Sequence, residues 1–359
     1  MVALAGLAGL AVVACANILG VDDRSLDPLA GGEGGGGDGG QSCADPCPMA
    51  VGLNHPFAMT VDETNVYWIE TGDPADSNGT VKSCPVTGCG AGPTVYASLQ
   101  SAPGVIAIDG QNVYWGTGGG TGTGAIWSCA IGGCGGKPTK LASADTPFGL
   151  AADSTYVYWA EFYLQTVNRA PIAGGSSSYV WDAGTVSGTP PNGASQLVID
   201  TGFVYINDQN ASTFRVAIGG GNLVSMFTDP NGSGVGIFGL AVDSNDVYLG
   251  ATGGIYQMSK GATSGATTLA PNVTLADDLK IDPAGGSVYW ADYGNVGTDG
   301  TVGMVPLDGG APVLLHQQLV TPEALAVNST DVFWVSYGTL LADGVTVKSN
   351  TGTLYRTTK

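Results

Sequence analysis

Basic side chains are scarce in this chain: 11 Lys and Arg stand against 30 Asp and Glu in 359 residues, a net charge of −19. Nucleic-acid binding draws its affinity from cationic contacts to phosphate, so this balance excludes it as a function class. It also excludes adsorption to an anionic membrane surface by charge. Charged residues of both signs make up only 11%, too few for the Glu/Lys-rich faces of long amphipathic helices. Histidine occurs twice, as His55 and His316, which leaves few imidazoles for acid–base or metal chemistry. No G-x-S-x-G, H-E-x-x-H or phosphate loop is present, and glycine runs such as Gly118–Gly124 precede neither a helix nor a Lys.

Long apolar runs are also missing. The longest is Met1–Ala14, MVALAGLAGLAVVA, and a membrane-spanning helix needs about 20 residues. Its length and small residues fit the hydrophobic part of a signal peptide, residues 1–14. Val12-Val13-Ala14-Cys15 resembles the lipobox of bacterial lipoproteins. The resemblance implies lipidation of Cys15, export, and attachment to the cell envelope, at the outer membrane or periplasmic face. No Lys or Arg precedes the apolar run, a departure that puts the start codon in question. A glycine-rich acidic stretch follows, GGEGGGGDGG at Gly31–Gly40. It cannot bury apolar area, so residues 15–42 read as the lipidated Cys and a tether.

What is abundant is glycine, 59 residues, with Val, Thr, Asp and aromatic residues. This composition suits short strands joined by tight turns. One unit recurs: an apolar strand ending in Asp, a short turn, then Val-Tyr-Trp. Its copies are MTVDETNVYW (Met59–Trp68), IAIDGQNVYW (Ile106–Trp115), LAADSTYVYW (Leu150–Trp159), LVIDTGFVYI (Leu197–Ile206), LAVDSNDVYL (Leu240–Leu249), LKIDPAGGSVYW (Leu279–Trp290) and LAVNSTDVFW (Leu325–Trp334). A period of about 40–50 residues with about four strands each is the signature of a propeller. The seventh unit runs out after a third strand near Thr353–Thr357, whereas Pro48–Leu53 (PMAVGL) precedes the first unit. The sequence therefore predicts an all-β, seven-bladed propeller of four-stranded antiparallel blades over residues 43–359. Its ring is closed by an N-terminal strand, with six blades and a fragment as the alternative. Asp62 and its equivalents are expected to cap the turn after the inner strand, and Tyr67, Trp68 and theirs to fill the space between blades.

Tyr289-Trp290-Ala291-Asp292, Tyr158-Trp159-Ala160-Glu161 and Tyr67-Trp68-Ile69-Glu70 resemble the YWTD repeats of receptor propellers. The whole unit is similar to bacterial propeller lipoproteins and, more loosely, to NHL-type propellers. YWTD propellers usually have six blades, so the count here departs from them, and the resemblance implies fold more than function.

Of seven cysteines, Cys15 is assigned to lipid and six remain, an even number for an oxidising compartment. Cys84/Cys89 and Cys129/Cys134 occupy one slot in adjacent units, where later units carry pairs such as Ala170/Gly175 and Val216/Gly221. Residues facing each other across an outer hairpin predict a disulfide. Cys43–Cys47 is the third expected pair. The alternative, zinc on two C-x4-C motifs, is opposed by the spacing and by their placement in different blades.

Function is expected on the face formed by the variable loops. The candidate binding residues there are Glu70, Asp73, Asp76, Glu161, Asp208, Asp292, Asp299 and Asp343. Together these acids could ring a calcium-binding mouth, but none has dedicated calcium-loop spacing; no cofactor is expected. The reading is a non-catalytic, monomeric scaffold binding a protein, peptide or glycan, with the lipid anchor as its only membrane contact. The alternative is a propeller enzyme of lyase or hydrolase type using His55, His316 and Glu323. Both histidines precede an inner strand, and that placement loosely resembles virginiamycin B lyases, seven-bladed enzymes using His, Glu and magnesium, although no matching motif accompanies it.

Overall fold

The computed structural model describes residues 45–73, 76–118, 122–163, 165–184, 193–209, 212–229, 239–274, 276–294, 298–341 and 347–359. The signal peptide, Cys15, the tether, Cys43 and Asp343 lie outside them.

Seven four-stranded antiparallel sheets form the ring. Blade one runs from an inner strand, Pro56–Val61, through Asn65–Glu70 and Gly79–Pro85 to an outer strand, Thr94–Gln100. Five further blades repeat this order in sequence. Blade seven is different: its first three strands are Pro322–Val327, Asp331–Ser336 and Gly352–Thr358, and its outer strand is Cys47–Leu53 from the other end of the chain. Pairing of Cys47 with Arg356 and of Leu53 with Gly352 closes the ring and leaves no inner edge unpaired.

Strand alternation explains why Val-Tyr-Trp repeats. Successive side chains on a strand face opposite sides of the sheet. Val66 and Trp68 therefore pack backwards onto Phe333, Val335 and Leu354 of blade seven. Tyr67 and Ile69 pack forwards onto Val113 and Trp115 of blade two. The core is thus a ring of apolar seams between blades. At about 25 cal/mol per Å², one buried aromatic of about 150–250 Å² contributes on the order of 4–6 kcal/mol, an upper figure.

The turn Asp works as a cap. Asp62 Oδ1 accepts from the backbone N–H groups of Thr64 and Asn65, both at 2.7 Å. Asp109, Asp153, Asp200 and Asp243 do the same in their blades, and Asn328 does so in blade seven. Disulfides join Cys84 to Cys89 and Cys129 to Cys134. Cys47 is also disulfide-bonded.

Candidate functional site

The inner strands line a central channel, and six of them start in the same irregular way. Register shifts fall between Pro56 and Ala58, Pro103 and Val105, Pro147 and Gly149, Ala194 and Gln196, Ala276 and Asp278, and Pro322 and Ala324. One residue is skipped in each, a β-bulge that re-aims a side chain. The bulged residues are Phe57, Gly104, Phe148, Ser195, Asp277 and Glu323. All six line the same cavity of about 450 Å³, and they form a ring at the loop-face end of the channel. Each stands five places before its blade's capping Asp or Asn. The corresponding residue of blade five, Phe238, lies outside the described residues.

Contacts between blades hold this ring in place. Pro322, immediately before Glu323, packs on Gly300, the first residue of blade six's third strand. A Cβ at Gly300 would sit 2.4 Å from Pro322 Cδ, so only glycine lets the two backbones meet there. The same glycine–proline contact joins Gly79 to Pro103 and Gly352 to Pro56.

Among the described residues the channel's charges come from blades six and seven: Asp277, Asp278, Lys280 and Glu323. Asp278 is satisfied. It pairs with Lys280 and accepts from Gln196 Nε2 at 3.0 Å and from the Leu325 N–H at 3.0 Å. Asp277 Oδ2 accepts the Tyr293 N–H at 2.8 Å. Glu323 lines the cavity and is partly buried. Burial first, then the negative charge of Asp278, raises its carboxyl to about 7. Burial and the charge of Glu323 push Asp277 well up too.

Phe57 and Phe148 line the mouth, and other rings back them. Tyr337 lies 6.4 Å from Phe57 and 5.2 Å from His55 between centroids. Phe148 lies 5.3 Å from Phe162, which meets Tyr163 edge-on at 4.7 Å.

Four of the loop acids expected at the mouth are buried in the blades. Glu70, Glu161, Asp208 and Asp292 end the second strands of their blades and are between 2% and 4% exposed. They serve the fold. Glu70 takes the Asn54 N–H, Trp68 Nε1 and Lys82 Nζ. Glu161 takes the N–H groups of Asp145 and Thr146 and Trp159 Nε1, and burial raises its carboxyl above the usual range. Asp208 takes the Ser212 N–H, and Asp292 those of Thr274 and Gly294. Asp73 is held at about 2 by hydrogen bonds, first from Ser349, then from Asn78 and Asn54. Asp76 and Asp299 are exposed on their loops. No group of three or more His, Cys, Asp or Glu placed to hold a metal ion occurs among the described residues.

The two histidines are apart in role. His55 is 7% exposed, and its ring nitrogens face carbonyl oxygens of Gly72 at 3.2 Å and Val347 at 3.3 Å. His316 was expected before an inner strand on the loop face. It stands instead in the middle of the outer strand Val313–Leu319 of blade six. There it meets the ring of Trp334 at 5.1 Å and Asp45 at 3.6 Å, at the seam with blade seven. Of the acid–base candidates, only Glu323 lines the channel. Sequence reading missed Asp277, Asp278 and Lys280; the fixed offset of five residues before the capping Asp is the signal that identifies Asp277.

No protein-family model matches the sequence, and no curated protein matches it. Solved structures do. A catalytically inactive virginiamycin B lyase from Staphylococcus aureus with quinupristin is similar at TM-score 0.63 and 11% identity, covering 87% of this chain and 98% of that one. The WD40 β-propeller domain of Doa1 is similar at TM-score 0.62 and 12% identity, covering 87% and 96%. The computationally designed Ika8 protein is similar at TM-score 0.56 and 16% identity, covering 86% and 98%. An enzyme, a WD40 domain and a designed protein share the architecture, so the likeness establishes the fold alone.

Proposed function

We propose that this protein is a non-catalytic binding propeller, exported and held at the bacterial cell envelope by lipid on Cys15, that takes its ligand at the loop-face mouth of the central channel. One observation carries the reading: the bulge ring breaks the repeat. Positions that serve packing recur from blade to blade, as the Val-Tyr-Trp seams and turn caps do. The ring positions carry Phe57 and Phe148, Gly104 and Ser195, Asp277 and Glu323. Aromatic, small and acidic residues around one cavity suit an asymmetric ligand, since pockets combine apolar walls with a few placed polar groups. The ligand is a small molecule or an exposed end of an envelope peptide, protein or glycan.

Plugging the channel tests this. A Cβ at Gly104 meets nothing within 4 Å, and its backbone is not in the left-handed region. Gly104→Trp should therefore fill the mouth and leave the fold intact. Ligand-observed NMR with a panel of amines, short peptides and sugars should find binders of the wild type that the plugged variant loses. If no panel member binds, or every binder ignores the plug, the reading fails. For the anchor, Cys15→Ser should move the protein from the membrane to the soluble fraction.

A second reading rests on Glu323. A carboxyl near 7 in an enclosed site can give and take a proton at neutral pH, as a lyase or hydrolase requires. Turnover of any ester or glycan substrate that is abolished in Glu323→Gln but kept in His316→Ala would favour it.

A further inference from the structure

The channel mouth holds more hydrogen-bond acceptors than donors. Among the described residues Lys280 is the only cation lining it, and it is paired with Asp278. Asp277 uses one oxygen on the Tyr293 N–H. Glu323 has no hydrogen bond or ion pair from any described residue. A separate observation agrees. Gln196, which also lines the channel, gives its amide N–H to Asp278, while its buried Oε1 has no donor. Buried acceptors without donors are costly, and two carboxylates in one enclosed space raise that cost unless a proton or a cation joins them. Lys280 offsets one of the three acids, so the fully ionised channel carries an excess of two negative charges.

The same mouth carries aromatic rings, both beside the acids and away from them. Phe57 of blade one, next to Glu323, and Phe148 of blade three line the cavity, backed by Tyr337 of blade seven and by Phe162. Aromatic faces accept both an apolar body and a cation. The acids and the rings together describe one class of ligand.

We infer that the channel mouth binds a primary or secondary ammonium carried on an apolar body, with Glu323 and Asp277 accepting its N–H groups and the aromatic collar holding the rest. The inference rests on the channel being the ligand site. It deepens that reading by fixing the chemistry: N–H donation distinguishes this ligand from a quaternary ammonium, which could use the rings but not the acceptors.

The test is isothermal titration of the wild type with phenethylamine, its N,N,N-trimethyl derivative, 2-phenylethanol and 3-phenylpropionate. Phenethylamine should saturate within about 10 mM, and the alcohol and carboxylate should bind at least about tenfold more weakly. The trimethyl derivative should fall between them. Glu323→Gln and Asp277→Asn keep shape and remove charge, and each should weaken phenethylamine by about 10- to 100-fold, the range for a lost charge-assisted hydrogen bond. Folding of each variant is checked by its melting curve, and the two variants answer independently.

Equal or tighter binding of the alcohol, the carboxylate or the trimethyl compound overturns the inference. So does phenethylamine affinity that neither variant alters, or no saturable phenethylamine binding at all. In each of these cases the channel reading still stands if another panel member is lost in Gly104→Trp.

Discussion

Tyr67 donates its hydroxyl to Asp62 Oδ2 at 2.8 Å, across the turn that Asp62 caps. The bond recurs as Tyr114–Asp109, Tyr158–Asp153, Tyr205–Asp200 and Tyr248–Asp243. Blade seven has Asn328 and Phe333 at the two positions, so the charge and the hydroxyl are absent together. Burial first, then the hydrogen bond to Asp62, pushes the Tyr67 phenol well up. Asp62→Asn should cost about 1–2 kcal/mol by chemical denaturation, since the turn amides keep an acceptor but the phenol loses a charged partner. The double variant with Tyr67→Phe should cost less than the sum of the singles, by about 0.5 kcal/mol or more. Strict additivity would mean that the bond carries no coupling.

The caps also set the acid limit. Burial opposes ionisation of Asp62, Asp109, Asp200, Asp243 and Asp282, but their hydrogen bonds outweigh it and hold each carboxyl below 3.8. A depressed carboxyl contributes stability that is present above the unfolded value and lost as pH falls through the folded one. The melting temperature should therefore drop steeply below about pH 4, and the penalty of Asp62→Asn should shrink there.

Glu323 has the opposite sign. Its carboxyl rises from 4.5 to about 7, so its stabilising contribution is complete below about pH 4.5 and is lost as pH rises through 7. Glu323→Gln should raise the melting temperature at about pH 8 and leave it nearly unchanged at about pH 5. A variant less stable than wild type at the higher pH would show that the charge is compensated.

The two described disulfide hairpins hold acceptors of seam bonds. Val86, inside the Cys84–Cys89 loop, accepts from Arg356 of blade seven at 2.8 Å. Ile131, inside Cys129–Cys134, accepts from Tyr96 of blade one at 2.6 Å. Replacing either pair by serine should cost about 2 kcal/mol in the loop-entropy account. It should also speed amide exchange on the neighbouring blade, which a purely local staple would not do.

Ring closure depends on Cys47–Leu53. Removing residues 1–53 should expose the edge of Gly352–Thr358 and turn a cooperative melt into a broad one with association. An unchanged melt and a monomeric product would show that blade seven stands on three strands.

The fold was legible because its main constraints are local and repeated. The Asp turn and Val-Tyr-Trp need only neighbouring strands, and seven copies make the pattern unmistakable. The missing outer strand could be located from the other end of the chain, since the same strand-to-next-blade pattern precedes every unit. The loop acids illustrate what was not legible. Glu70 and Glu161 have the composition of binding residues, yet their roles follow from backbone amides more than ten residues away that only the folded ring presents to them. His316 was placed by its distance from the next unit, but alternation within its own strand turned it toward Trp334.

The sequence by itself determined the propeller architecture, strand order, the capping Asp, the aromatic seams and the outer cysteine hairpins, and it favoured seven blades closed by an N-terminal strand over six, a choice the seven sheets decide. All of these follow from periodicities of two along a strand and of one blade along the chain. The tertiary structure alone decided where chemistry can occur. Bulges aim one residue in each of six blades at a common axis, and the ring brings Asp277 and Asp278 of blade six and Glu323 of blade seven into one enclosed space. The raised carboxyls of Asp277 and Glu323 are a property of that shared space, and no single repeat contains it.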